Sequence, residues 1–365
     1  MTDLAPPPTP VATAMPTPPA LTLRDVISTV PAEFRQRSTA RGLAIAGRDI
    51  AIYGGAVTGL ILTHSWWATL LFWAVAGFAV AAMFVAGHDA AHGTLTDNNR
   101  LNGFLGRLLF LPSLHNYEAW VLGHNRIHHG HTVKQNMDFV WHPLTVDDYR
   151  RLGALKKLRH RLEWSMFGAG AYYTRDVWWT KMIRLTDPPP RFAKGIRRDA
   201  RLLYITLLGA AVGMAFLGGL ASGDVVGALW LITEVLVVPA MLFMWIIGWT
   251  VYVHHIDPDI KWYHRHEWTK VAGQLEGTTI LRIPKFWDLF FHSIFIHTPH
   301  HVDMRIPCYH LAGAAEAIKA AFPDRVIDRK LRLRDYFRAT RTCKLYDFDN
   351  HEWLPYAAAT NPPMA

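Results

Sequence analysis

The sequence predicts an all-α integral membrane protein with about four transmembrane helices in two hairpins and a helical cap on the cytoplasmic side. Two long apolar stretches, 50–87 and 202–253, support this fold class, because each is long enough for two crossings of roughly 20 residues. Each stretch has one short polar interruption where the chain can turn. Every Lys and Arg lies outside the two stretches. The segments that carry these residues are typical of loops that stay on one side of a membrane.

Both hairpins can be placed from these interruptions. A turn near Thr63–Trp66 divides the first stretch into two crossings, and Ser222–Asp224 separates crossings at about 202–221 and 225–253 in the second. Glu234 interrupts the last crossing. We expect Glu234 to be a buried, hydrogen-bonded group, because an ionisable residue at that depth usually faces the protein interior.

The distribution of basic residues predicts the orientation. Neither inter-helix turn contains Lys or Arg, whereas the N-terminal segment contains five Arg and the region 87–201 is rich in both Lys and Arg. The positive-inside rule then places the N-terminus, the middle region and the C-terminal region in the cytoplasm. We therefore expect a multi-pass protein, with a bacterial inner membrane as its location.

The chain is expected to form one domain with two tails. Residues 1–20 are rich in Pro and Thr and predict a disordered tail. Residues 21–345 form the predicted membrane domain, and 346–365 a C-terminal tail. The two cysteines, Cys308 and Cys343, suggest neither a disulfide framework nor a cysteine-ligated metal site.

Four segments are expected to build the cap. The apolar stretch Leu101–Leu114 is too short to cross and should lie in the interface or under the cap. Tyr117–His129 predicts a helix, and Gly313–Phe322 an amphipathic helix. Arg150–Met182 alternates basic, aromatic and apolar residues and predicts a helix lying on the lipid headgroups.

The formal net charge of +9 has three explanations that the sequence leaves open. Part of the charge follows from the topology, and part fits contact with anionic lipid headgroups. An acidic protein partner docking on the cytoplasmic face is the third. Nucleic acid is not an expected partner, because the basic residues flank membrane spans and form no recognition motif.

Three histidine clusters, at 88–92, 124–129 and 297–301, point to a metal site. Each contains two histidines four residues apart, which share one face of a helix, and each lies next to an apolar stretch on the same side of the membrane. Neutral imidazole suits iron, copper, zinc and nickel. The clusters contain eight histidines, too many for one tetrahedral ion, so the pattern indicates two metals sharing a site.

A histidine pair at the end of the last crossing adds a further candidate. His254 and His255 leave the membrane on the side of the clusters. Adjacent helical residues diverge by about 100°, so we expect only one of the two to point into the site.

The ligand chemistry indicates a membrane oxidase that acts on hydrocarbon. Few carboxylates accompany the histidines, unlike the sites of ferritin-like bundles. Iron with dioxygen is the usual protein route to oxidising an unactivated C–H bond. A membrane metal transporter is a distant alternative, because it would need histidines within the spans. A zinc hydrolase would need a general base such as that of His-Glu-x-x-His, which the sequence lacks.

These motifs resemble those of the integral-membrane fatty acid desaturases and their hydroxylase relatives. Gly87–Gly93 is similar to the first histidine box of that family, His124–His129 to the second and His297–His301 to the third. Two features are most similar to the acyl-lipid Δ12/ω3-type subgroup: the three-residue spacing between the histidines of the first box, and the histidine with which the third box begins. The resemblance implies that nine histidines bind two iron ions: His88, His92, His124, His128, His129, His255, His297, His300 and His301.

The resemblance also assigns secondary roles. His255 matches the extra histidine of the family, and His254 is the alternative for that ninth position. His292 is expected to orient a ligand through a hydrogen bond, and Asp89 to hydrogen-bond rather than to bind metal. Weaker candidates for such supporting contacts are Asp138, His131 and Asp257.

The implied reaction introduces a cis double bond into a fatty acyl chain with dioxygen as co-substrate. A fused haem segment, His-Pro-Gly-Gly, does not occur in the sequence, so electrons are expected from a separate ferredoxin-like carrier. The acyl group could be carried on lipid, CoA or acyl carrier protein, or be a free acid. The second box has three residues between its first histidines, as in membrane alkane hydroxylases. Hydroxylation, or oxidative decarboxylation to a terminal alkene, is therefore an alternative outcome.

Overall fold

A computed structural model describes residues 20–185 and 187–360 of the protein. Residues 1–19, which make up nearly all of the predicted disordered tail, lie outside the described residues, as do Thr186 and 361–365. The described part is mostly helical, which confirms the predicted class. In it, four helices are long and apolar enough to cross a membrane, as predicted, and we name them the first to fourth spans: Thr39–Leu62, Trp66–His92, Pro190–Ser222 and Val225–His255.

The spans form two hairpins with short turns at the predicted positions. Thr63–Ser65 joins the first two spans, and Gly223 and Asp224 join the last two. Gly223 has φ +76°, a left-handed conformation that ends helices readily only at glycine. The Asp224 side chain then caps the fourth span by accepting a hydrogen bond from the Gly227 backbone N–H at 2.8 Å.

The second span forms the centre of the bundle. In the most apolar 18 residues of the second span 61% are buried, against 11% in the corresponding part of the third span. The third span therefore lies on the outside. Phe216, Leu220 and Val226 are exposed at that outer hairpin. Such side chains suit contact with lipid, because they would be costly to expose to water.

Glu234 is buried and hydrogen-bonded, as its position predicted. The Thr69 hydroxyl donates to its carboxylate at 3.2 Å, and the Trp73 indole N–H donates to its backbone carbonyl at 2.9 Å. The residue lies in a π-helical turn, Thr233–Val237, within the fourth span. This group therefore joins the fourth span to the second.

The remaining elements form a cap at the ends of the spans. Its α-helices are Leu23–Ser28, Asn99–Phe110, Tyr117–Trp120, His129–His131, Val146–Arg151, Ala154–Glu163, Ala169–Tyr172, Asp288–Phe291, His297–Val302, Leu311–Ala321, Leu333–Thr342 and Ala357–Thr360. Its π-helical turns are Val121–His128, Tyr173–Ile183 and Ala272–Glu276. Its 3₁₀ turns are Ala32–Arg35, Lys285–Trp287, Cys308–His310 and Pro323–Arg325.

Two small sheets, absent from the all-helical prediction, complete the cap. Thr279–Arg282 pairs in parallel with Ile327–Lys330, and Leu345–Asp347 pairs antiparallel with Glu352–Leu354. The second sheet crosses the expected start of the C-terminal tail. Tyr346 and Phe348 are buried there, so the chain is folded against the cap up to Thr360. Aromatic side chains in this segment supply the apolar area that packs against the cap.

The prediction of a single helix over Arg150–Met182 is wrong. The segment contains separate helices with breaks at 152–153 and 164–168. Gly168 allows the second break, because a Cβ atom there would lie 1.9 Å from the Leu162 carbonyl oxygen. Between the breaks, Leu155 and Leu158 are exposed on a basic helix, in keeping with a position on lipid headgroups.

Close backbone contacts fix the fourth span against the cap. A Cβ atom at Gly248 would lie 2.4 Å from the Ala169 carbonyl oxygen, and one at Gly170 would lie 2.6 Å from the Trp245 ring. Both glycines are therefore required by packing. These contacts fix the position of the last turn of the fourth span, which includes His255, relative to the cap.

Candidate metal centre

The structure brings all nine predicted ligands into one region beneath the cap. They form two groups in which the candidate nitrogen atoms lie within 4.8 Å of one another. The first group consists of His88, His92, His124, His129 and His300. The second group consists of His128, His255, His297 and His301.

In the first group the nitrogen atoms converge closely. His124 Nε2 lies 2.8 Å from His88 Nε2 and 3.1 Å from His129 Nε2. His129 Nε2 also lies 3.0 Å from His300 Nε2. His92 Nε2 is buried and has no hydrogen-bond partner in the described part of the chain.

The second group is built in the same way. His297 Nε2 lies 3.2 Å from His255 Nε2 and 3.1 Å from His301 Nε2. Two nitrogen ligands at roughly 2.1 Å from one ion, at right angles, are about 3 Å apart. The spacing in both groups, with the unpartnered His92 nitrogen, therefore fits one metal ion in each.

Burial favours the protonation state that binds metal. Enclosure away from water lowers the pKa of the ligand candidates in the cap well below the usual histidine value, and neighbouring imidazoles lower it further. These are His124, His129, His297, His300 and His301. A neutral imidazole has a free lone pair for a metal ion.

A π-helical turn decides how the second cluster is shared between the groups. The spacing predicted that His124 and His128 share a face, but His124 joins the first group with His129, and His128 joins the second. The His129 backbone N–H donates to the His124 carbonyl, five residues earlier. Because the π-helix aligns residues five apart, it turns two consecutive histidines toward different groups.

Hydrogen bonds from the outer ring nitrogens hold the second group in place. His128 Nδ1 donates to Asp138 Oδ1 at 2.9 Å, and His301 Nδ1 to Gln274 Oε1 at 3.1 Å. His255 Nδ1 donates to a backbone carbonyl, that of Gly277, at 3.2 Å. Such contacts fix the tautomer and leave Nε2 free for a metal. Sequence reasoning did not identify Gln274, which lies in the π-helical turn Ala272–Glu276 and carries no motif.

Asp89 connects the first cluster to the chain that follows the third cluster, without joining either group. Its carboxylate accepts a hydrogen bond from the Cys308 backbone N–H at 2.7 Å and lies 3.4 Å from His88 Nδ1. Both side chains are buried. This carboxylate therefore hydrogen-bonds, as expected, and holds the chain after the third cluster against the second span.

Three other expected supporting residues contact different partners in the described structure. His292 Nε2 lies 2.7 Å from a carboxylate oxygen of Asp49 in the first span. His131 Nδ1 bonds to a carbonyl of its own turn. Asp257 pairs with Arg329. None of the three contacts one of the nine histidines through a hydrogen bond.

The geometry favours His255 over His254 as the ninth ligand. His254 stacks its ring on that of His297, with centroids 4.0 Å apart, and belongs to neither group. Its Nε2 atom is buried and has no hydrogen-bond partner among the described residues. The ring therefore packs against a ligand candidate and faces an adjacent cavity.

That cavity is narrow and apolar and runs beside both groups. Its apolar walls come from the second span, the fourth span and the cap, and include Phe84, Val85, Val177, Ile247 and Val251. Histidines of both groups line the same space: His88, His124, His128, His255 and His297. A hydrocarbon chain in this cavity would lie directly against the metal centre.

Comparison with known proteins agrees with this chemistry. The family model described as fatty acid desaturase matches residues 64–330. The chain is 26% identical to the sn-1 oleoyl-lipid 12-desaturase of Picosynechococcus sp., over 93% of this chain and 94% of the relative. It is 31% identical to the chloroplastic omega-3 fatty acid desaturase of Glycine max, over 84% and 66% of the two chains. It is 29% identical to the sn-1 acyl-lipid omega-3 desaturase (ferredoxin) of Synechocystis sp., over 82% and 80%.

Proposed function

The chain belongs to the fatty acid desaturase family, and we propose that it introduces a cis double bond into the acyl chain of a membrane lipid. The observation that carries this proposal is the position of two histidine groups against one apolar cavity. The relatives are named as desaturases that act on acyl lipids, which supports desaturation over hydroxylation or decarboxylation. The histidines lie at the ends of the spans and in the cap, an arrangement that does not favour a metal relay through the membrane.

We propose that the five-histidine group holds one iron ion and the four-histidine group a second. The donor set fits iron, since imidazole is a common iron ligand and the chain's own side chains supply every nitrogen. Iron in this position would supply the dioxygen chemistry that oxidises an unactivated C–H bond. Asp138, Gln274 and the Gly277 carbonyl hold the ligand rings in the required tautomer.

The atoms and electrons of the reaction define what the site must receive. Forming the double bond removes one hydrogen atom from each of two adjacent methylenes. Reducing dioxygen to water at the same time takes up those two hydrogen atoms, two further electrons and two protons. We propose a separate ferredoxin-like protein as the electron source, as the name of the Synechocystis relative states for that enzyme.

The cavity walls perform the positioning. Ile247 and Val251 on the fourth span line the same cavity as Phe84 and Val85 on the second, so an acyl chain there would be held in an apolar slot. An apolar lining disfavours water, which would limit side reactions at the metals. Because the site of attack depends on where the chain stops, the same walls would determine which methylenes react.

We propose that the substrate is an acyl chain that already contains one double bond. One relative is named for its action on an oleoyl lipid, and others as omega-3 desaturases. The new double bond would then lie between the existing one and the methyl end. We further propose that the cap faces the cytoplasm, because the basic residues lie on the cap side of the spans.

Lipid analysis tests the proposal. Cells that express the protein with a ferredoxin and its reductase are fed oleate, and their lipids are compared by gas chromatography–mass spectrometry. A diunsaturated chain should appear with the wild type and not with His128→Ala, which removes a ligand from the second group. A new alcohol or terminal alkene instead would overturn desaturation and retain the metal centre. An active His128→Ala variant would overturn the metal assignment.

A further inference from the structure

We propose that the surface around Trp268 is the docking site of an acidic one-electron carrier, and that electrons enter the four-histidine group through Trp268 and Thr132. This Trp268 surface comprises Trp268, Lys134, Arg265 and Lys270. The inference rests on the proposed function, which requires two electrons for each double bond. Each carrier molecule would be oxidised by one electron, so two would be consumed in succession.

A short chain of contacts joins the surface to the metal centre. The half-buried Trp268 donates its indole N–H to the Thr132 carbonyl at 2.8 Å. The Thr132 hydroxyl donates to the His128 carbonyl at 2.8 Å and lies 3.3 Å from His301 Nδ1. His128 and His301 both belong to the four-histidine group. One residue, Thr132, therefore separates a surface aromatic ring from two ligand candidates.

Packing holds the ring in this position. A Cβ atom at Gly273 would lie 2.8 Å from the Trp268 ring and 3.1 Å from the Thr132 carbonyl oxygen. Only the missing side chain lets the indole lie flat against this turn. The same π-helical turn, Ala272–Glu276, carries Gln274, which accepts the hydrogen bond from His301 Nδ1. The segment that seats Trp268 thus also orients a metal ligand.

One cation contacts the ring, and two more lie within three residues of it in the sequence. The Lys134 ammonium lies 4.7 Å from the Trp268 ring centroid, and Arg265 donates to the backbone carbonyls of 135 and 136. Lys270 is exposed two residues beyond the tryptophan. None of the three cations forms an ion pair with a carboxylate within the described residues. Of the nearby acids, Glu276 is paired with Arg325.

Two acids lie beside this surface. Glu267 is exposed next to Trp268, with its carboxylate 3.9 Å from His351 Nε2 and 4.0 Å from His266 Nε2. Asp349 lies 2.9 Å from the Nε2 atom of His264, the neighbour of Arg265. The three cations still outnumber these two acids, so the surface carries a positive charge. A positive surface attracts and orients an acidic partner, mainly by raising the association rate. Carriers of electrons typically dock through small, weak interfaces of this kind.

The surface does not fit a lipid bilayer equally well. Between 256 and 285, all of which is described, no large apolar side chain is exposed. By contrast, Leu155 and Leu158 are 83% and 54% exposed on the helix Ala154–Glu163, where basic residues accompany them. Membrane-surface helices combine both features. An acidic, soluble protein is therefore the occupant that the Trp268 surface favours.

A binding experiment tests the docking site. The purified, iron-loaded protein in nanodiscs of neutral lipid is titrated with a plant-type acidic [2Fe–2S] ferredoxin by calorimetry at low salt. Arg265→Glu/Lys270→Glu should weaken binding by about tenfold or more, and the wild-type affinity should fall as salt rises. The matched control, Lys330→Glu/Arg332→Glu, makes the same change in charge at exposed residues elsewhere on the cap. Equal losses in both variants, or in neither, would overturn the docking site.

An electron-transfer experiment tests the route. Trp268→Phe keeps an aromatic ring under Lys134 but removes the N–H that bonds to Thr132. The oxidation of saturating reduced ferredoxin, followed by its absorbance, should be several-fold slower in this variant. Its iron content and its affinity for ferredoxin should be unchanged. An unchanged rate would overturn the route.

A chemical reductant separates the two proposals. Dithionite with methyl viologen delivers electrons without a docked protein. The charge-reversed and Trp268→Phe variants should then form the double bond at the wild-type rate. If the wild type forms no double bond with either reductant, the proposed desaturation fails. If every variant matches the wild type with ferredoxin, only the docking site and route fail.

Discussion

His128 and Asp138 are joined by a hydrogen bond of 2.9 Å in which the imidazole Nδ1–H donates to the carboxylate. Both side chains are buried. Burial by itself raises the pKa of Asp138, but His128, His255 and the Val140 backbone N–H together lower it more, so the pKa lies below the usual value. The carboxylate also accepts from the backbone N–H groups of Val133 and Val140. An ionised acceptor is thus fixed behind one proposed ligand of the second group.

Asp138→Asn should weaken metal binding in the second group. The amide keeps the size of the side chain but removes the negative charge that orients His128 and raises its basicity. Loss of such a partner typically costs about 10–100-fold in metal affinity. Iron bound per chain, measured by plasma mass spectrometry during titration with a chelator, should show one ion lost at lower chelator concentration than in the wild type.

The control for this change is Asp199→Asn. Asp199 is another buried carboxylate, but it pairs with Arg107 and Arg198 rather than with a histidine. Its replacement can lower the stability of the fold, yet the folded fraction should retain both ions with wild-type affinity. Equal chelator sensitivity of Asp138→Asn and the wild type would show that the carboxylate has no part in metal binding.

Much of the fold followed from the sequence because the membrane imposes strong rules. A crossing needs an uninterrupted apolar helix, and the turns at Thr63 and Gly223 are the polar interruptions that the sequence displays. The cap offers no such rule. Its breaks depend on close backbone contacts such as that of Gly168 with the Leu162 carbonyl, which the hydrophobic pattern of the sequence does not reveal.

The separate roles of His254 and His255 can be tested by metal content. His255 is oriented by the Gly277 carbonyl and belongs to the second group, whereas His254 stacks on His297. We expect His255→Gln to lose one of two bound iron ions and His254→Gln to keep both. If both variants bind two ions, His255 is not required as a ligand. If only His254→Gln loses an ion, His254 is the ligand and His255 is not.

The site shows a similar division between pattern and packing. The family motif gave the nine histidines, but helical spacing alone paired His124 with His128. The π-helical turn pairs His124 with His129 instead. A π-turn adds one residue to a helix without altering its composition, so spacing does not reveal it. The sequence did not identify Gln274 for a related reason: its contact with His301 depends on the π-turn in which it lies.

Filling the apolar cavity should block turnover and leave the metals in place. Val251 lies four residues before His255 on the fourth span and lines the cavity on the same helix face. Val251→Phe places a ring where the acyl chain would lie. We expect product formation to fall by at least about tenfold, because small displacements of a reacting group have effects of this size or larger.

The matched control is Val226→Phe, at a position that is 73% exposed on the outer hairpin. The same enlargement there should change neither iron content nor product. The double-bond product is measured by gas chromatography–mass spectrometry, and iron on the same purified samples. Wild-type turnover by Val251→Phe would show that the acyl chain does not use this cavity.

His115 supplies a titratable group that is separate from the metal ligands. It is buried, its Nδ1 donates to the Ser113 carbonyl at 2.7 Å, and its Nε2 accepts from the Tyr173 hydroxyl at 3.0 Å. Burial lowers the pKa of His115 to about 3, although the hydrogen bond to Ser113 partly opposes this. The folded protein therefore keeps this imidazole neutral over a wide range of pH.

Stability should consequently fall in acid, and His115→Gln should reduce that dependence. In the unfolded chain the pKa of a histidine is about 6.5. Between that pH and about 3, the unfolded state binds a proton that the folded state excludes, so the free energy of unfolding decreases by about 1.4 kcal/mol per pH unit. Glutamine can bond to both Ser113 and Tyr173 without titrating. Between about pH 7.5 and 5.5, the thermal midpoint should fall less in His115→Gln than in the wild type, and exposed His64→Gln should match the wild type. Equal pH dependence in all three proteins would contradict a neutral, buried His115.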